Sequence, residues 1–339
     1  MTATFTERSP AEGGFAAVFA DRVAPELDRL EGVRRQLLAT AKRHMAIAVG
    51  IGLVLGLLLV WTGGNSAGIA GYAFGFGIPV AISAVGAFIL WKRQEKQWEG
   101  SVAQAVMPAV CDFVGDLAYD READKGFPLE RMQRLGVIKS FHESTLSDRL
   151  EGRYRETPFE MVEAKLKSKS SNNDDNSSSS SKTLFDGLLF SIGVPETLRT
   201  RILIARDYGG VGNKLTEMFS GKSGRGMPKV ALPHEKFESQ FEVYADDPEA
   251  ARAVLAPAFL DNLIAIAEAE GGSEGPRGLQ AGFHEDRFFL ALSRKEDFLK
   301  MGSLQTPVTG IEDDLHAVFD DLALVYRIID RLHGIHPAS

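Results

Sequence analysis

From Met45 to Trp91 the chain carries no Asp, Glu, Lys, Arg or His. Two apolar runs, 45–61 and 69–91, are separated by Thr62-Gly63-Gly64-Asn65-Ser66-Ala67-Gly68. As helices they would measure about 26 and 35 Å at 1.5 Å rise per residue, against a hydrocarbon core of about 30 Å. Neither run has the polar face that a helix in a soluble core retains. The pattern predicts a transmembrane helical hairpin over residues 45–91.

On either side of this stretch the period changes. Before it, Phe15, Val18 and Phe19, then Leu27, Leu30, Val33 and Leu37, recur at three- and four-residue steps. They predict an amphipathic helix from Phe15 to His44, kinked at Pro25 or restarted at Glu26. This N-terminal segment, 1–44, either lies on the inner leaflet or packs on the polar body. Asp21, Glu26, Asp28 and Glu31 dilute its basic face and favour packing. After the hairpin, Val102, Val106, Val110, Phe113 and Leu117 predict a helix over 99–120. A short helix should begin at Pro128, a residue suited to a first helical position, and end near Leu135. Residues 92–147 therefore read as a helical connector.

Strand periods follow. Val162, Ala164 and Leu166 alternate with Glu163, Lys165 and Lys167, which predicts a half-exposed strand over 161–169. Residues 168–181 are almost wholly Ser, Asn, Asp and Lys and predict a disordered loop inserted between strands. Strands are expected at 184–194, 199–207 and 237–244. Asp246, Asp247, Pro248 and Glu249 announce a helix to about Glu270, broken or kinked by Pro257. Phe283 and residues 288–292 suggest a hairpin that turns at 284–287. A final helix carries Leu315, Val318, Leu322, Val325, Ile329 and Leu332 as its seam, opened by a Thr309–Glu312 capping box. The expected fold is α+β: an N-terminal two-helix transmembrane hairpin, then a 148–339 domain with a mainly antiparallel sheet and packed helices.

Charge orients this picture. Arg34, Arg35, Lys42 and Arg43 precede the hairpin, Lys92, Arg93 and Lys96 follow it, and its loop is uncharged. Lys and Arg are retained on the cytoplasmic side, so both termini of a multi-pass membrane protein are expected there. The net charge of −8 is unevenly spread, with +1 before Met45 and −9 beyond Trp91. An acidic body argues against general nucleic-acid binding. Cys111 is the only cysteine, so no internal disulfide can form. With no ionisable group inside the hairpin, an ion pathway or proton relay is not expected. Gly52 with Gly56, and Gly71 with Gly75, are small-xxx-small pairs that let helix backbones approach closely. They serve either packing within the hairpin or homo-oligomerisation.

Candidate chemistry is sparse. Gly209-Gly210-Val211-Gly212-Asn213-Lys214 follows a strand but lacks the spacing of a phosphate loop. Of the histidines only His333 and His336 are neighbours, with Asp330 nearby, which is a poor metal set. Asp246-Asp247 and Asp313-Asp314 stand where capping and the helix dipole explain them. Lys165, Lys167 and Lys169 are either a binding patch or a solvated strand face. No catalytic, cofactor or metal residue is assigned, and an enzyme is the less favoured reading.

Several segments together resemble a known family: Pro25-Glu-Leu-Asp-Arg-Leu-Glu-Gly-Val-Arg34, Asp148-Arg-Leu-Glu-Gly152, Phe185-Asp-Gly-Leu-Leu-Phe190, and Phe237-Glu-Ser-Gln-Phe-Glu-Val-Tyr-Ala-Asp-Asp-Pro-Glu-Ala-Ala-Arg252 with Leu255-Ala-Pro-Ala-Phe259. They look like the bacterial membrane-anchored proteins grouped as domain of unknown function 3137. The resemblance implies a membrane protein with a cytoplasmic α+β body, and it brings no catalytic residues. Three functions are carried forward. The first is a membrane-tethered module whose acidic domain binds a protein or small ligand, the bilayer itself being the other partner. The second is an enzyme at the membrane surface. The third is a small transport or channel component built by hairpin oligomerisation.

Overall fold

The computed structural model describes residues 3–63, 68–123, 126–169, 181–206, 226–270 and 278–334, without side chains at 63 and 68–74. Most of the predicted serine-rich loop and the 209–214 glycine stretch thus lie outside what is described, as does the packing around Gly71 of the small-residue pairs. Contacts divide the chain into two units: Met1–Phe113 with Lys300–Phe319, and Val114–Leu299 with Asp320–Ser339.

The first unit is built on two long helices, α1 (Ala24–Gly63) and α2 (Gly68–Val114). A turn of α-helix, Phe15–Val18, and a π-helical turn, Phe19–Val23, lead into α1. In that wide turn the Ala24 N–H reaches Phe19 O, just before Pro25, which has no N–H to give. The register shift absorbs the proline, so the predicted interruption is a π-bulge in a continuous helical path. Phe15–Thr62 and Gly75–Val114 are long and apolar enough to cross a membrane. Val54, Leu57, Ile82, Val85 and Phe88 are exposed along them.

Inside the hairpin, a Cβ on Gly52 would collide with Ser83, and one on Gly56 would lie 2.8 Å from the Phe76 ring. Of the two uses expected for this glycine face, packing within the hairpin is the one seen. The N-terminal segment is packed as expected: Phe15, Phe19, Val23 and Leu27 are buried, and the Phe15 ring centroid lies 5.2 Å from Phe113 and 4.9 Å from Phe319. Buried Arg34 donates to Leu304 O and to Glu31, each at 2.8 Å. Glu12 accepts from the Arg8 and Ser9 N–H groups and lies 2.9 Å from His316 Nδ1.

α2 stops at Val114, where Gly115 and Asp116 take left-handed φ values of 81° and 47°. The helix expected to reach Asp120 is therefore cut short by a left-handed C-terminal turn. Leu117–Asp120 is instead a strand, β1, of the second unit. There follow α3 (Leu129–Leu135), β2 (Glu143–Tyr154), β3 (Thr157–Lys169), β4 (Ser181–Arg206), β5 (Lys229–Val230), β6 (Phe241–Ala245), α4 (Pro248–Val254), α5 (Pro257–Glu270), β7 (Leu279–Ser293) and α6 (Glu312–Leu332). Up to Phe319, α6 is counted with the first unit.

The strands form one antiparallel sheet in the order β1-β2-β3-β4-β6-β5, with β7 also on β4. β4 is its spine. Its first half lies between β3 and β7 and its end between β6 and β7. Where two strands were expected, β4 is a single 26-residue strand with register shifts from Gly193 to Ile202. Pro195, which can donate no ladder hydrogen bond, sits in that irregular stretch. The hairpin expected in 283–292 is likewise one strand, β7. Its predicted turn is a kink at Glu285, whose φ is 57°.

Both faces of the sheet are covered. On one, Met132 and Leu135 of α3 join Val162, Leu166, Leu189, Leu203, Tyr244 and Phe289 in a buried cluster. On the other, Phe259 of α5 packs on Phe283 and Phe288, and Tyr326 of α6 stacks on Tyr154 at 4.3 Å. This double cover explains why 188–192 and 288–292 are buried without alternation. α4 begins as the sequence predicts, with Asp247 Oδ1 accepting from the Glu249 and Ala250 N–H groups at 3.0 and 3.2 Å. Pro257 splits the expected helix, and α5 departs from α4 at 73°. Two further expectations are corrected. Phe237 and Ser239 precede β6, with Phe237 in a helical turn, Glu235–Glu238, where its N–H donates to His234 Nδ1 at 3.2 Å. Thr309 lies in a 3-10 turn, and the Glu312 carboxylate that was to complete its capping box accepts from the Thr6 N–H instead.

Candidate functional site

The irregular stretch of β4 does more than interrupt a ladder. It leaves residues 194–197 without a partner on β7, and beside them lies a hollow of about 350 Å³. Ile192, Val194 and Leu198 form one wall, Phe283 and Phe288 of β7 the floor, and Val254, Phe259 and Leu332 close it from the ends of α4, α5 and α6. The three phenylalanines pack on one another, with centroids 4.7 to 6.0 Å apart. Among the described residues two ionisable side chains reach the hollow, Glu196 and His333. Glu196 is exposed, and His333 Nε2 is held 2.8 Å from the Thr157 hydroxyl. Apolar concavities of about 300–1,000 Å³ with a few polar groups are the usual form of a small-molecule site.

A second, larger cleft of about 550 Å³ is polar and lies between the ends of β4 and β7 and the helices α5 and α6. Two of its lining cations face carboxylates of the protein itself. Arg294 is 2.8 Å from Asp321, and Arg327 is 3.3 Å from Glu270. Burial raises the Asp321 carboxyl above its usual range, against the pull of Arg294 and the Leu299 N–H. The charges of Arg294 and Arg327 are thus engaged within the protein.

A third cluster lies where β1, β2 and β3 meet residues 297–298. Burial, reinforced by Asp148 and Asp297, pushes the Glu163 carboxyl up to about 7. The Phe298 N–H and the Ser147 hydroxyl donate to it. Tyr119 donates to Asp148 alongside. Glu163 therefore changes charge near neutrality, but no open cavity adjoins it among the pockets described.

Among the described residues no group of three or more His, Cys, Asp or Glu is placed to hold a metal. Cys111 is buried, and burial together with Asp112 pushes its thiol up to about 11, which suppresses the nucleophilic thiolate. Lys165 pairs with Asp186 at 2.6 Å and Lys169 lies 3.8 Å from Glu143, which fits a solvated strand face. The hollow was not anticipated, because its walls come from segments far apart in sequence. Gly193 and Pro195 inside an apolar strand pattern were the local hint of an irregularity.

No curated protein matches the chain. Among solved structures, the crystal structure of the mycobacterial trehalose monomycolate transport factor A, TtfA, aligns over 65% of this chain and 90% of its own, at 12% identity and a TM-score of 0.31. That likeness is remote. A family model described as "Protein of unknown function (DUF3137)" matches residues 183–333, the stretch from β4 to the end of α6. It spans the strands and helices that wall both the hollow and the polar cleft. Over residues 183–333, a little under half of its length, the chain is thus similar to this DUF3137 family.

Proposed function

We propose that this protein is a membrane-anchored binding module. The two apolar helices tether it in a bacterial inner membrane with both termini on the cytoplasmic side. Its acidic second unit binds a ligand there without transforming it. The observation that carries the reading is the hollow beside β4, an apolar concavity of small-molecule size in the unit that follows the hairpin. The basic flanks and uncharged loop support the orientation.

Two measurements test it. With Cys111 replaced by Ser, an impermeant thiol reagent applied to whole cells should label Asn65→Cys and spare Ser339→Cys. The reverse result would invert the topology. Second, small molecules extracted from the purified full chain should include one that disappears from a Leu198→Trp variant, whose indole fills the hollow. Identical extracts from the two proteins would remove the hollow from consideration as the ligand site.

A further inference from the structure

The lining of the hollow restricts what it can hold. The following rests on the binding-module reading and concerns the chemical class of the ligand. Side chains of Ile, Val, Leu, Phe and Pro make up all of the lining except Gly193, Glu196 and His333. Among the described residues that line it there is no amide, hydroxyl, Lys or Arg side chain. A ligand rich in hydrogen-bonding groups would bury donors and acceptors without partners, at roughly 1–3 kcal/mol each. The volume lies near the lower end of small-molecule sites, enough for one slender apolar group and too small for a two-chain lipid.

The polar residues define which end of that group faces out. His333 Nε2 is already engaged by Thr157. Glu196 is exposed in the irregular stretch of β4 and lies among the lining residues. A ligand with a carboxylate or phosphate end would meet Glu196 with no Lys or Arg of the described lining to balance it. An alcohol, an amine or a quaternary ammonium end would not, and a cation would gain from the carboxylate.

We propose that the hollow receives a single aliphatic chain that ends in an uncharged or cationic group. Burial of the chain supplies the affinity, in proportion to the apolar area it removes from water. Glu196 selects against anionic ends by like-charge repulsion, a form of specificity that works through rejection.

The test uses the full chain in lipid nanodiscs and three short probes, octyltrimethylammonium, octanol and octanoate. Hydrogen exchange of the backbone amides at 192–198 reads occupancy at the site itself. Octyltrimethylammonium and octanol should slow that exchange about fivefold or more at saturation, because binding stabilises the closed form, while octanoate should change it less than about twofold. In Glu196→Lys the order should reverse, with octanoate protecting best. In Leu198→Trp all protection should vanish. If octanoate protects as well as octyltrimethylammonium in the unaltered protein, the ligand class is wrong while the hollow stands as a binding site. If no probe protects 192–198, or Leu198→Trp is protected equally, both the ligand class and the binding reading fail.

Discussion

Replacing Phe241 with alanine should cost the second unit about 3–5 kcal/mol, the range for large aromatic truncations in a packed core. Phe241 opens β6 and is 1% exposed. Its ring lies 5.0 Å from that of Phe237, itself fully buried. Removing it deletes the apolar area of a phenyl group and leaves a cavity that two fixed neighbours cannot fill: β4, to which β6 is hydrogen-bonded, and the Glu235–Glu238 turn. For a unit of this size such a loss lowers Tm on the order of 10 °C. Thermal unfolding of the full chain in detergent, followed by circular dichroism, measures it. An unchanged Tm would mean that these aromatics form an exposed surface and that the interior has been misassigned.

The second large effect is expected in the first unit, from Arg34→Met. Arg34 is 6% exposed and satisfies both Leu304 O and Glu31. Methionine keeps much of the volume and leaves the Glu31 carboxylate without its main partner. Breaking one side of a largely buried pair costs roughly 3–5 kcal/mol, and because Arg35 and the Val308 N–H still reach Glu31, about 2–3 kcal/mol is expected here. The pH dependence identifies the cause. Hydrogen bonding from Arg34 in the first place, and from Arg35 and the Val308 N–H, holds the Glu31 carboxyl down at about 2, against its burial. Its stabilising effect is therefore complete above the unfolded value near 4.5 and is lost as pH falls toward 2. Arg34→Met should flatten the loss of stability between those values as well as lowering the plateau. A variant as stable as the parent at pH 7, with the same acid profile, would show that Arg34 is spectator rather than strut.

Much of this architecture could be read from periodicity, and the failures share a cause. The apolar helices, α4 with its Asp247 cap, the break at Pro257 and the seam of α6 were legible because each depends on local spacing or on a residue with one clear backbone role. β2 was missed because Asp148, at a φ of 52°, marks a register shift that breaks the two-residue alternation. β4 and β7 were each cut in two for the same reason, since their bulges look like turns until the partner strand is known. Glu242, next to Phe241 and on the opposite face of β6, is held by Lys229 at 2.8 Å and the Tyr244 hydroxyl at 2.7 Å, because that face of the sheet is covered as well. The hollow was illegible altogether. It arises from a bulge in one strand and the ends of three helices, none of which carries a catalytic or ligand-binding signature.

The length of β4 also sets an order of assembly. Its hairpin partner, β3, is complete before β4 is synthesised, but β6 and β7 follow it by roughly 40 and 80–100 residues. Throughout that interval an emerging strand with 188–192 apolar on both faces has one edge paired and the other open. Such edges template intermolecular pairing, and contacts of high sequence separation form slowly because loop closure comes first. β7 is thus the element that seals the sheet, and truncation before Leu279 should make the chain aggregate even with the β2–β3–β4 pairing intact. The same strand that gives the mature unit its spine is, during synthesis, the segment most in need of a chaperone.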